Sequence, residues 1–214
     1  MKLLPLSLDV RGRACLVVGG GPIGARKLAS LLECQAQATL ISPAICEAAR
    51  PLAARCKYLQ RAWQGGDCRG FALIWACTPR AEVNEAIARE ARDSGAWCAV
   101  SGAGEGGDLH SMAAVRRGEV CIGIASGGAA PALSRHLRER IEAAIGGEYE
   151  VLLSWMSEER AELKARLGEQ GARAEVWREV LASEVLELLR SGRQGEARAR
   201  FEAITRGSSS GSST

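Results

Sequence analysis

Residues 14 to 18, Ala-Cys-Leu-Val-Val, form an unbroken apolar run that stops at Gly19-Gly20-Gly21. Without polar alternation, such a run predicts a strand buried on both faces, and the glycines predict a tight turn at its end. Over residues 25 to 33 the period changes: Leu28, Leu31 and Leu32 recur at three and four, with Arg26 and Lys27 on the other side, as in an amphipathic helix. Residues 38 to 41 are again strand-like, and Ser42-Pro43 is expected to close them. The three pieces together have the size of one β-α-β crossover, about 30 residues.

The alternation continues along the chain. Residues 44 to 55 read as helix, 57 to 60 as a short strand, 71 to 76 as a buried strand, 82 to 93 as an amphipathic helix and 97 to 100 as another strand. Strands alternating with helices predict an α/β fold with a doubly wound, mainly parallel sheet. A glycine-rich loop follows at residues 101 to 107. Residues 120 to 125 predict a further strand, and 126 to 131 a second glycine-rich turn that opens a helix over 132 to 145. Helices are predicted over about 151 to 168, 173 to 190 and 194 to 205. The expected division is an N-terminal sheet domain over residues 1 to 112, a central β-α segment over 113 to 147 and a C-terminal helical domain over 148 to 206. The Gly/Ser tail at 207 to 214 is expected to be disordered.

Composition adds boundaries. With 47% hydrophobic and 25% charged residues the chain reads as globular, and no apolar run approaches the roughly 20 residues of a membrane-spanning helix. Pro5 and Asp9 come too early for a secretory signal, so the expected location is the cytoplasm, with no membrane partner. The eight cysteines contain no C-x-x-C pair, which argues against zinc, or any other metal held by cysteine pairs, and against a disulfide framework. A net charge of +3 is too mild to argue for nucleic acid. Arginines gather after Arg116, which suits an anionic small molecule or a solvated helical face.

Gly19-Gly20-Gly21-Pro22-Ile23-Gly24 satisfies G-x-G-x-x-G between a buried strand and a helix, the setting in which the pattern signals a Rossmann dinucleotide site. Gly19 permits the tight turn, Gly21 lets the backbone approach a pyrophosphate, and Gly24 lets helix and strand pack closely. The acid that usually ends the second strand is missing. Ser42 stands there instead as the candidate ribose contact and leaves NAD against NADP undecided at this position.

These residues resemble the precorrin-2 dehydrogenases, which also form the N-terminal half of sirohaem synthases. The resemblance is carried by Pro5 with a short lead-in strand, by the run from Cys15 through the glycine turn to Arg26-Lys27, by Ala76-Cys77-Thr78 with Asn84, and by the stretch from Ile124 to Ser134, which holds Ser126-Gly127-Gly128 and Pro131-Ala132-Leu133. It extends from about residue 3 to 205, and Trp177 falls where that family often carries an aromatic. It implies NAD as cofactor, precorrin-2 as substrate and sirohydrochlorin as product. It also implies a homodimer with the middle segment exchanged, and Thr78 and Asn84 near the cofactor. Judged on the residues alone, Asn84 reads as a helix cap or a surface residue. A carboxylate-rich macrocycle calls for guanidinium and backbone N–H donors, which makes Arg116, Arg117, Arg135, His136 and Arg138 candidates beside the turn at Ser126, Gly127 and Gly128.

The resemblance also exposes a departure. Where that family usually carries an aspartate after the strand at residues 97 to 100, this chain has Gly102. Asp108, which matches a second acidic position of the family, and His110, with its imidazole, are the candidates to take a proton. Neither clustered carboxylates nor a His pair supports metal insertion. The expected activity is therefore NAD-dependent oxidation, the alternative being a tetrapyrrole carrier or regulator that keeps the fold. At 214 residues no room is expected for a fused methyltransferase domain, and whether a separate chelatase or methyltransferase works alongside the chain is left open by the sequence.

Overall fold

A computed structural model describes residues 3 to 102, 107 to 127 and 130 to 207. Its contacts divide the chain into two compact units that meet between Ser111 and Met112. In the first unit β1 (Ala14–Gly20), β2 (Gln37–Ile45), β3 (Lys57–Leu59), β4 (Leu73–Ala76) and β5 (Trp97–Val100) form one parallel sheet in the order β3-β2-β1-β4-β5. Helix α1 (Pro22–Glu33) follows β1, the short α2 (Arg50–Ala53) precedes β3, and α3 (Ala81–Asp93) joins β4 to β5.

The apolar run in β1 is explained by two cores on opposite faces of the sheet. Cys15 and Val17 pack with Leu28 and Leu31 of α1, whereas Leu16 and Val18 pack with Ile87 and Ala88 of α3. Side chains alternate along a strand, so a central parallel strand needs apolar residues at every position. Buried thiols contribute to both cores, and burial raises Cys15 and Cys98 to about 11 and Cys68 to about 12, which keeps them protonated.

Two boundaries differ from the sequence expectation. Ser42-Pro43 does not end β2, which runs on to Ile45. Pro43 points to solvent, where its missing N–H costs no ladder bond, and a register shift between Val18 and Gly20 brings Ile45 opposite Gly20. The lead-in around Pro5 forms no strand, and Leu4, Leu6 and Leu8 are exposed.

The second unit begins with an antiparallel hairpin of β6 (Ala113–Arg117) and β7 (Val120–Ile124), closed by a two-residue turn in which Gly118 supplies the positive φ. β6 was not expected from the sequence, because only Val115 of its five residues is buried and it ends in two arginines. Helix α4 (Pro131–Ala144) packs on the hairpin, and α5 (Glu148–Arg166), α6 (Gln170–Ala182), α7 (Val185–Arg190) and α8 (Gln194–Gly207) form a helical cluster. Phe201 is fully buried there, 5.6 Å from Trp155 and 6.4 Å from Trp177 between ring centres. The single helix expected over 173 to 190 is two helices. Ser183 turns to extended backbone, its hydroxyl donating to Val180 O at 2.7 Å and so competing with the helical ladder.

Arg117 closes the last turn of α4. Its guanidinium donates to Ile145 O at 2.8 Å, to Glu142 O at 3.0 Å and to Arg116 O at 2.8 Å. The bonds to Glu142 O and Ile145 O are charge-assisted bonds to carbonyls that a helix end otherwise leaves unpaired. Arg117→Ala is expected to destabilise this unit by about 2 kcal/mol, read as a lowered denaturation midpoint at unchanged slope.

Candidate functional site

The strand order reverses between β1 and β4, and in open parallel sheets ligands collect at the carboxyl ends of the strands at such a point. Three segments end there: the turn Gly19 to Gly24, Cys77-Thr78 and Ser101-Gly102. The fingerprint glycines do different things. Gly19 has φ +112, and a Cβ on it would lie 2.4 Å from Cys77 O; a Cβ on Gly24 would lie 1.9 Å from Gly19 O. Both therefore mark places where backbone meets backbone. A Cβ on Gly21 would meet nothing within 4 Å, so this glycine borders open space.

Gly21 is the N-cap of α1 and Pro22 its first residue, with Ile23 exposed beside it. The helix has no side-chain cap and no acid in its first turn, so no carboxylate of that turn offsets the positive end of its dipole. An open glycine at an uncapped helix start, at the switch point, fits a dinucleotide pyrophosphate.

Ser42 is buried beneath this turn. It accepts from Gly20 N at 2.9 Å and donates to Ala44 O at 2.6 Å, while its carbonyl takes a bond from Tyr58 Oη at 3.1 Å. Its hydroxyl thus braces the turn from below. Burial lowers the Lys27 ammonium below its usual range and raises the Cys77 thiol, whose sulfur lies 3.1 Å from Ser101 Oγ.

Thr78 and Asn84 are brought together. Asn84 is only 2% exposed; its Oδ1 accepts from Thr78 N at 3.0 Å and from Thr78 Oγ1 at 2.7 Å, and its Nδ2 donates to Thr78 O at 2.9 Å. Nothing in the linear pattern marked this bond, because its partners lie on either side of the start of α3.

The acidic candidates are placed elsewhere in the unit. Leu109 N and Asp108 N both bond Cys98 O, in the middle of β5, and Asp108 pairs with Arg92 of the last turn of α3 at 3.4 Å. The residues after Gly107 therefore run back along β5, and Asp108 stands about 10 Å, three strand residues, short of Ser101. His110 lies beyond it and is exposed. Gly102 has φ +95, a conformation in which an aspartate would be strained by about 1–2 kcal/mol.

In the second unit Ser126 donates to Ala130 O at 3.1 Å and accepts from Ser134 Oγ at 2.8 Å, which fixes the entry to α4. Gly127 has φ +63, and Gly128 lies outside the described residues. Arg116, Arg135 and His136 are exposed, Arg138 pairs with Glu142 at 3.0 Å, and Arg117 is engaged on the end of α4.

Residues 6 to 113 match the family NAD_binding_7, described as "Putative NAD(P)-binding", and residues 148 to 204 match the sirohaem synthase dimerisation region. The chain is 31% identical over 204 residues to a sirohaem synthase of Thioalkalivibrio sulfidiphilus, covering 94% of this chain and 42% of that protein. It is 34% identical over 209 residues to one of Methylobacillus flagellatus, covering 97% and 45% respectively. It thus spans less than half the length of these relatives. The solved structure of SirC, a precorrin-2 dehydrogenase, matches with a TM-score of 0.76 at 22% identity, over 94% of this chain and 99% of that one. That likeness covers the sheet and the helical cluster alike.

Proposed function

Because this chain belongs to the NAD(P)-binding family NAD_binding_7 and carries a sirohaem synthase dimerisation region behind that domain, we propose that it binds NAD at the Gly19 turn and oxidises precorrin-2 to sirohydrochlorin in the cytoplasm. The observation that carries the reading is the open side of Gly21 at an uncapped helix start, at the switch point of the sheet. Bound NAD supplies the hydride acceptor: precorrin-2 gives up a hydride and a proton, and sirohydrochlorin and NADH result.

The chain's own residues bind and orient. The turn seats the pyrophosphate, the Cys77-Thr78 peptide forms the wall beside it, and exposed guanidinium groups such as Arg116 and Arg135 suit the substrate's carboxylates. Orientation of the two reactants adds to the rate, since placing them well is worth about 7 kcal/mol or more. Mixing the protein with precorrin-2 and NAD tests this: NADH and sirohydrochlorin should rise together in equal amounts. Precorrin-2 binding without NADH would mark a carrier instead.

The second unit supports a homodimer. A two-stranded hairpin is marginal by itself, α4 has no buried residue, and Leu133 and Leu137 are 51% and 39% exposed. A double substitution, Leu133→Glu with Leu137→Glu, is expected to convert a dimer to a monomer in sedimentation equilibrium.

A further inference from the structure

We propose that Asn84 is a positioning residue for the cofactor: it never touches the dinucleotide, but holds the Cys77-Thr78 peptide against Gly19 as a fixed, uncharged wall of the pyrophosphate seat. The inference rests on the reading of the turn as an NAD site.

Three bonds tie one side chain to one residue. Asn84 Oδ1 takes both Thr78 N and Thr78 Oγ1, and Asn84 Nδ2 gives to Thr78 O. The hydroxyl has a single hydrogen, and the contact to Asn84 at 2.7 Å is shorter than the one to Arg80 O at 3.1 Å. The donors of Thr78 are thus committed inward, and its carbonyl takes an Asn84 bond.

The held peptide has a definite neighbour. Cys77 N donates to Val18 O at 2.8 Å, and a Cβ on Gly19 would lie 2.4 Å from Cys77 O and 3.0 Å from Thr78 N. Peptide and turn are therefore flush, and a shift of Thr78 would push into the first glycine. Only a side chain that accepts twice and donates once satisfies Thr78 without charge. Aspartate has the same shape but loses the donor and adds a negative charge two contacts from Gly19, in the turn whose open side at Gly21 would take the phosphates.

The test is NAD binding by calorimetry, together with the rise in melting temperature that NAD gives each variant over its own unliganded form. Asn84→Asp is expected to weaken NAD at least about tenfold at about pH 8 and to recover as the pH falls toward about 5, where a protonated carboxyl donates to Thr78 O again. The unaltered protein should show no such recovery. Glu85→Gln, an exposed change next to Asn84 on α3, should bind within about threefold of the unaltered protein.

Equal affinity of Asn84→Asp and the unaltered protein at pH 8 would overturn the proposal. So would a loss in Asn84→Asp that stays the same at pH 5, or one that Glu85→Gln shares in full. Failure of Asn84→Asp to fold, with Glu85→Gln binding normally, would assign Asn84 to the fold alone and overturn it too. If the unaltered protein does not bind NAD, the site reading itself fails and the positioning role goes with it.

Discussion

Gly21→Val is expected to reduce NAD affinity by at least about 100-fold while leaving the melting temperature within about 3 °C of the unaltered protein. The structural cost is small because the new side chain meets nothing: the Cβ direction at Gly21 is empty to 4 Å and its φ is −76°, a value any residue adopts. Replacing a glycine at an N-cap by an apolar residue costs about 1 kcal/mol, which for a chain of this size corresponds to a few degrees. The functional cost is large, because that empty direction is where a diphosphate would approach the backbone N–H groups of α1. Two added methyl groups hold the phosphates off, and charge-assisted bonds lost at a helix start are among the stronger ones a site can make. Calorimetric titration with NAD beside a melting curve checks both halves. Unchanged NAD affinity would move the nucleotide away from the turn.

This separation of seat from scaffold was partly legible in the sequence. The β1-α1-β2 unit announces itself because a doubly buried strand permits no polar position, and the change from Cys15-Leu-Val-Val to Leu28, Leu31 and Leu32 is a change of period. What the linear pattern conceals are bonds between residues distant along the chain. Ser42, the candidate ribose contact, has neighbours that its position in the sequence does not announce: β2 runs three residues past it and its hydroxyl braces Gly20. The same holds for Asp108, the candidate proton acceptor, which the return of the chain along β5 brings to Arg92. Asn84 looks like a cap or a surface residue, and burial at the end of β4 makes it the partner of Thr78. Each of these outcomes depends on how segments pair, and pairing is not encoded in a local period.

Gly21 and Gly24, the second and third glycines of the fingerprint, should behave in opposite ways, and the contrast tests the geometry of the turn directly. Gly24→Val is expected to destabilise the first unit by about 3 kcal/mol or more and to lower its melting temperature by about 10 °C. A Cβ there would stand 1.9 Å from Gly19 O and 3.5 Å from Val17 Cγ1. The first contact is with backbone, which cannot rotate away as a side-chain tip can, so α1 must lift from β1. Lifting it strips contacts from Leu28 and Leu31, both buried against Val17 and Leu40, and overpacked cores of this kind relax only by moving whole elements. NAD affinity falls as well, but as a consequence of the displaced helix, so added NAD should recover little of the lost stability. A Gly24→Val protein that melts like the unaltered one would mean that α1 does not sit on β1 as closely as described, and the tight turn, with the seat it creates, would have to be redrawn.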